Sequence, residues 1–225
     1  PEPVPPPPIH AGRCQCYLLP VQYEEARRRI QAALLDPLPG LSAQRHLAPI
    51  PPRLWKTPGD ATRIRHAAGL LLLYPAPETG ATIVLTERAA TLRHPGQISL
   101  PGGVVEAGET LEQAALREAH EEVGLALEGV EPLGVLTPVD IPVSGFRLHP
   151  IVAASPTRPV LRAADGEVAR VIEAPLRVLL DPASCAWRTR ERDGLPIDVP
   201  MLVVASVEVW GATAMVLGCG ERTRP

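Results

Sequence analysis

The chain has 225 residues, 45% of them hydrophobic but only 3% aromatic, so one ordinary domain can bury a sizeable core built from aliphatic side chains and alanine. A net charge of −3 argues against a polybasic binder of nucleic acid or membrane surfaces, and the longest apolar run, residues 67–74, is far short of the roughly 18–20 residues that span a bilayer. Four cysteines without a CxxC pair suit ordinary thiols rather than a disulfide framework or a zinc site; with no secretory leader visible, a cytoplasmic location is expected.

In chain order, residues 1–20 open with a nearly pure proline run that forms neither helix nor central strand, and they read as a disordered arm. Residues 21–60 hold a helix over 23–35, with Arg27, Arg28 and Arg29 on a solvated face, and then a proline-punctuated connector. The dense part spans 61–218. Residues 67–73 and 81–86 are apolar strands separated by a Pro- and Gly-containing loop. A short strand is expected at 98–100 and a helix over 110–123. Thr110 and Gln113 make a capping box for that helix, and Gly124 stands where a C-terminal glycine belongs. Strands follow at 130–139, 146–154, 168–174 and 201–207, then a short helix at 211–217 and a tail, 219–225. Many strands with few helices predict an α+β fold with one central mixed sheet.

The helix over 110–123 carries the chemistry. At roughly 100° per residue, Glu118 and Glu122 share a line and Glu121 lies just beside it. Ala115, Leu116, Ala119 and Val123 form the adjoining apolar stripe, so these acids project at the edge of a buried face. Like charges four residues apart repel, and a hard divalent cation such as Mg²⁺ or Mn²⁺ relieves that repulsion with oxygen ligands. Gly102 and Gly103 allow backbone to approach, so a carbonyl can join the ligand set. Arg117 can pair with Glu109. A solvated acidic helix face is the alternative reading of the three glutamates alone.

The full spacing is more specific. Gly103, five residues, Glu109, seven residues, Arg117–Glu118, two residues, then Glu121–Glu122–Val123–Gly124–Leu125 resembles the Nudix box. The resemblance implies an α/β/α sandwich and hydrolysis of a nucleoside diphosphate linked to a further moiety, using Mg²⁺ or Mn²⁺. Carried over by position, it implies that Glu118, Glu121 and Glu122 bind metal together with the Gly103 carbonyl, Glu118 being ligand or base. The flanks, Leu85–Thr86–Glu87–Arg88–Ala89, Arg93, Gly96 and Leu100–Pro101–Gly102–Gly103, look like the signature of coenzyme A pyrophosphatases. Two residues rather than three separate Arg93 from Gly96, and Leu100 replaces a phenylalanine. The motifs around residues 136–146 and 209–214 also resemble this subfamily.

Arg88 and Arg93 are the substrate-binding candidates, because forked guanidinium donors suit phosphate. Glu167, in a polar loop, is a candidate extra ligand or base. His94 reads as a loop hydrogen-bonder, and Trp210 as core rather than an adenine platform. The expected activity is hydrolysis of coenzyme A or its derivatives to 3′,5′-ADP and 4′-phosphopantetheine. ADP-ribose or another nucleoside diphosphate derivative is the alternative substrate, and a non-catalytic binding protein of the same fold is the alternative class. The expected partner is a small nucleotide, not nucleic acid or membrane, and a homodimer stays open.

Overall fold

The computed structural model describes residues 20–52, 64–91 and 94–218. The proline arm, apart from Pro20, the C-terminal tail and Arg93 lie outside the described residues.

Helix α1 (Tyr23–Ala33) is followed by a short helix, α2 (Leu41–Arg45), within the stretch expected to be a plain connector. Strands β1 (Arg65–Ala76) and β2 (Gly80–Arg88) form an antiparallel hairpin. Beyond the hairpin turn the two strands take different neighbours. Strand β3 (Ile98–Ser99) pairs with β2 at Thr86 and Glu87, and β4 (Gly102–Val104) pairs with β1 at residues 67–69. The β3–β4 segment therefore lies where β1 and β2 part, and it delivers Gly102 and Gly103 to the start of β1.

Helix α3 (Leu111–Val123) forms as the capping residues predict. The Thr110 hydroxyl accepts from the Gln113 N–H, the Gln113 side chain accepts from the Thr110 N–H, and Gly124 closes the helix at φ 63°. The single strand expected over 130–139 is two, β5 (Glu131–Val135) and β6 (Val139–Ile141). Pro138 between them has no N–H to continue a ladder. Strand β7 (Phe146–Ala154) runs parallel to β1 and antiparallel to β5 and β6, while β8 (Val168–Pro175) borders β2 on its other side. The central sheet is thus mixed, as expected, and the fold is α+β.

Two apolar layers cover this sheet. On one face Ala68, Leu70, Leu72, Tyr74 and Val84 pack against Ala115, Ala119 and Val123 of α3. On the other, Leu73, Ile83 and Leu85 meet Tyr23 and Ala26 of α1, the helices α4 (Leu176–Leu180) and α5 (Ala212–Leu217), and a second sheet. That second sheet is the main departure from the sequence reading. It comprises β9 (Cys185–Arg192), β10 (Leu195–Val204) and β11 (Val207–Trp210), all antiparallel. The one strand expected at 201–207 is divided between β10 and β11, because Ala205 and Ser206 adopt φ 47° and 66° and turn the chain back.

Candidate active site

Glu118 and Glu122 lie one turn apart on α3, on the side facing β4. Both line a cleft of about 400 Å³ together with Arg88 at the end of β2, Gly103 on β4 and Glu167 just before β8. Four of the residues expected at the site from sequence therefore meet Arg88 in one place. Glu167 is brought there by a short loop whose anchors are visible: its carbonyl accepts from the Ala89 N–H at 2.9 Å, and the Gly166 carbonyl accepts from the Thr91 hydroxyl at 3.3 Å.

Glu122 is the most deeply placed of these acids, at 8% exposure. One of its oxygens accepts from the Gly102 N–H at 3.0 Å. Burial is the main reason that its carboxyl pKa is pushed up to about 7; the nearby charges of Glu118 and Glu167 add to the rise, while the Gly102 bond and Arg88 oppose it. Glu118 is also raised, again chiefly by burial, with Glu121 and Glu167 adding and Arg117 opposing. The cleft therefore holds carboxylates whose charges are costly as they stand.

Arg117 organises the approach. Its guanidinium donates to both oxygens of Glu109, at 2.7 and 3.1 Å, to Glu118 at 3.0 Å, to Glu121 at 3.2 Å and to the Val104 carbonyl at 3.1 Å. The expected Arg117–Glu109 pair ties the loop before α3 to the helix, and it holds the Glu109 carboxyl below the ordinary range. Glu121 has a side chain 55% exposed and stands at the outer rim, linked to Arg117.

The backbone opposite is made for close approach. A Cβ on Gly102 would fall 2.3 Å from the Ala68 carbonyl oxygen, and one on Gly103 would fall 2.3–2.6 Å from the Glu118 carboxylate. Any side chain at Gly103 would occupy the space of that carboxylate. Among the described residues no three acidic, histidine or cysteine side chains yet form a closed cage for a metal ion. The donor set nevertheless fits a hard divalent cation. It consists of oxygens only, two of its carboxylates carry raised proton affinity, and a glycine backbone lies against one of them.

Trp210 departs from its sequence reading. It is only half-buried and lines a second cavity, with His94, that shares no residue with the cleft.

The family model of the NUDIX domain matches residues 63–183. Uncharacterized Nudix hydrolase NudL of Enterobacter sp. (strain 638) is 39% identical over 160 residues, covering 70% of this chain and 82% of that protein. NudL of Cronobacter sakazakii (strain ATCC BAA-894) is 47% identical over 114 residues, covering 50% of this chain and 58% of its own. Among solved structures, the Nudix hydrolase RenU from M. smegmatis shares 29% identity over 50% of this chain and 71% of that one, with a TM-score of 0.44.

Proposed function

The chain belongs to the Nudix hydrolase family, and from that premise we propose that it is a Mg²⁺- or Mn²⁺-dependent pyrophosphatase hydrolysing coenzyme A or its derivatives to 3′,5′-ADP and 4′-phosphopantetheine. The observation that carries the hydrolytic reading is the single cleft in which Glu118, Glu122 and Glu167 face Arg88 beside Gly103. The coenzyme A assignment rests on the signature-like residues of 85–103, of which Arg88, Gly102 and Gly103 line that cleft.

Glu118, Glu122 and the Gly103 carbonyl would hold the ion, with Glu121 joining from the rim. Such a cation would offset the negative charge of the substrate's phosphates and would lower the pKa of the attacking water. Arg88 contributes a fixed positive charge for the substrate phosphates, and Arg93 is assigned to the same task from its place in the signature. Glu167, which lines the cleft, would take the proton from the attacking water on a carboxylate oxygen. The new P–O bond to water forms as the anhydride P–O bond breaks, and the departing phosphate keeps that electron pair. Glu109 and Arg117 position Glu118 rather than touch substrate.

The test is product analysis with coenzyme A in the presence of Mg²⁺ or Mn²⁺, beside ADP-ribose and a dinucleoside polyphosphate. Release of 3′,5′-ADP and 4′-phosphopantetheine at the highest kcat/KM in the panel supports the reading. Preferential cleavage of another nucleotide keeps the hydrolase and replaces the substrate. Binding of coenzyme A without turnover of any panel member would favour the non-catalytic alternative.

A further inference from the structure

The half-buried Trp210 opens a question that the cleft does not answer. It lines a cavity of about 450 Å³, within the size range of small-molecule sites. This cavity is distinct from the catalytic cleft. The two share no lining residue: Glu87 lines this cavity, whereas its neighbour Arg88 lines the cleft. One wall is the turn before β3, where His94 and Gly96 adopt φ 62° and 70° and present Gln97. That turn is closed by bonds from the Gly96 N–H to the Arg88 carbonyl and from the Arg88 N–H to the Gln97 carbonyl, each 3.0 Å. The opposite wall, Arg190, Glu208 and Trp210, comes from the second sheet, beyond the matched span 63–183. The Thr213 hydroxyl, on α5 just after Trp210, donates to the Ile98 carbonyl of β3 at 3.0 Å in a buried setting.

The lining selects a ligand chemistry. The Arg190 guanidinium lies over the Trp210 ring, 4.7 Å from its centroid, and donates to Glu208 at 3.2 Å. A planar cation stacked on an indole and levelled by a carboxylate is a platform for a further flat ring. The polar groups around it, carboxylates of Glu87 and Glu208 and the amide of Gln97, can accept hydrogen bonds from amino groups. Glu208 binds Arg188 and Arg190, and Glu87 binds Arg170, so each of these guanidiniums already has a carboxylate partner.

We propose that this cavity binds the base of an amino-bearing purine nucleotide, stacked on the Arg190–Trp210 pair with its amino edge toward Glu208 and Gln97. The nucleotide is either a separate molecule or the adenine-containing half of the substrate; the inference stands on the cavity and does not require the coenzyme A reading.

The probe is AMP, titrated calorimetrically in EDTA into the full chain, with UMP as the comparison. Wild-type protein should bind AMP at least about 10-fold more tightly than UMP. Trp210→Leu and Arg190→Gln should each raise the AMP Kd by about 10-fold, as expected for loss of a stacking partner. Arg190→Gln changes a surface position and keeps the test valid if Trp210→Leu fails to fold. Glu118→Gln, in the other cavity, should leave the AMP Kd unchanged. An AMP Kd unmoved by Arg190→Gln, or moved only by Glu118→Gln, overturns the proposal. Within a supported proposal, kcat/KM of the hydrolysed substrate separates the sources. It falls with AMP affinity when the base belongs to the substrate, and it stays constant when the nucleotide is separate.

Discussion

Gly103 and Glu118 share one space: a Cβ at Gly103 would lie 2.3 Å from Glu118 Oε1, so the absence of a side chain on β4 is what lets the carboxylate lie against the backbone. The helix and the strand are each formed by local rules, yet neither explains the glycine. The requirement arises only when α3 docks on the sheet.

Gly103→Ala separates positioning from stability. The atoms in the way are the far end of a flexible side chain, so Glu118 can swing aside and the fold should keep its stability to within about 1 kcal/mol. Activity should fall about a hundredfold, because a displacement on the scale of an ångström at a reacting centre costs that much. Urea unfolding and kcat/KM measured on the same preparation check both halves. Full activity in a stably folded Gly103→Ala chain would remove Glu118 from the site.

Much of this geometry was legible in the sequence. Thr110, Gln113 and Gly124 marked both ends of α3, and the acids on its apolar edge marked the site. The Arg117–Glu109 pair was readable from spacing, since both ends lie near one helix. The convergence with Arg88 and Glu167 is tertiary, and only the family resemblance pointed to it. The second sheet was missed for a physical reason. Along residues 185–192 the side chains are mostly polar and none is buried, so no apolar alternation advertises a strand. The turn between β9 and β10 is Asp193–Gly194, with φ 54° and 77°, a hairpin dipeptide that the sequence reading did not use. Trp210 read as core because its partner Arg190 comes from a strand that was not expected.

Glu122 makes the metal-free protein sensitive to pH. Its folded pKa of about 7 lies above the ordinary value of 4.5, so between them the folded state binds more protons than the unfolded state. Stability is then greatest at low pH within this window and falls as pH rises toward 7, by at most about 3 kcal/mol. In EDTA the Tm should decline across this range, Mg²⁺ or Mn²⁺ should restore it near neutrality, and Glu122→Gln should flatten the decline. Equal slopes for Glu122→Gln and wild type would show that the burial cost lies elsewhere.

Turnover gives an independent reading of Glu122. Glutamine keeps the shape and still accepts from the Gly102 N–H, but it lacks the charge that a hard cation needs. Glu122→Gln should fold and lose most activity. Wild-type kcat at saturating Mg²⁺ or Mn²⁺ would exclude a ligand role.

Arg117→Lys tests the organising network. One ammonium cannot reach both Glu109 oxygens, Glu118 and the Val104 carbonyl at once, whereas the guanidinium does. The expected loss is about 1–2 kcal/mol in urea unfolding, together with a higher metal concentration for half-maximal rate. A change in stability without a change in metal dependence would confine Arg117 to folding.

The substrate assignment has its own test in Arg88. Coenzyme A carries a 3′-phosphate that dephospho-coenzyme A lacks, and Arg88 lines the cleft beside the acids. If Arg88 reads that phosphate, the intact substrate should be preferred roughly 10- to 150-fold in kcat/KM, corresponding to a charge-assisted bond of about 1.5–3 kcal/mol. Arg88→Ala should then erase much of the preference while slowing dephospho-coenzyme A far less. If Arg88 instead steadies the bridging phosphates or offsets the charge of Glu122, both substrates should slow by the same factor and their ratio should hold. Arg93→Ala, measured in parallel, tests the second arginine of the signature by the same ratio. A ratio unchanged by either substitution would remove the assignment of 3′-phosphate readout to these arginines while leaving the acidic site on α3 intact.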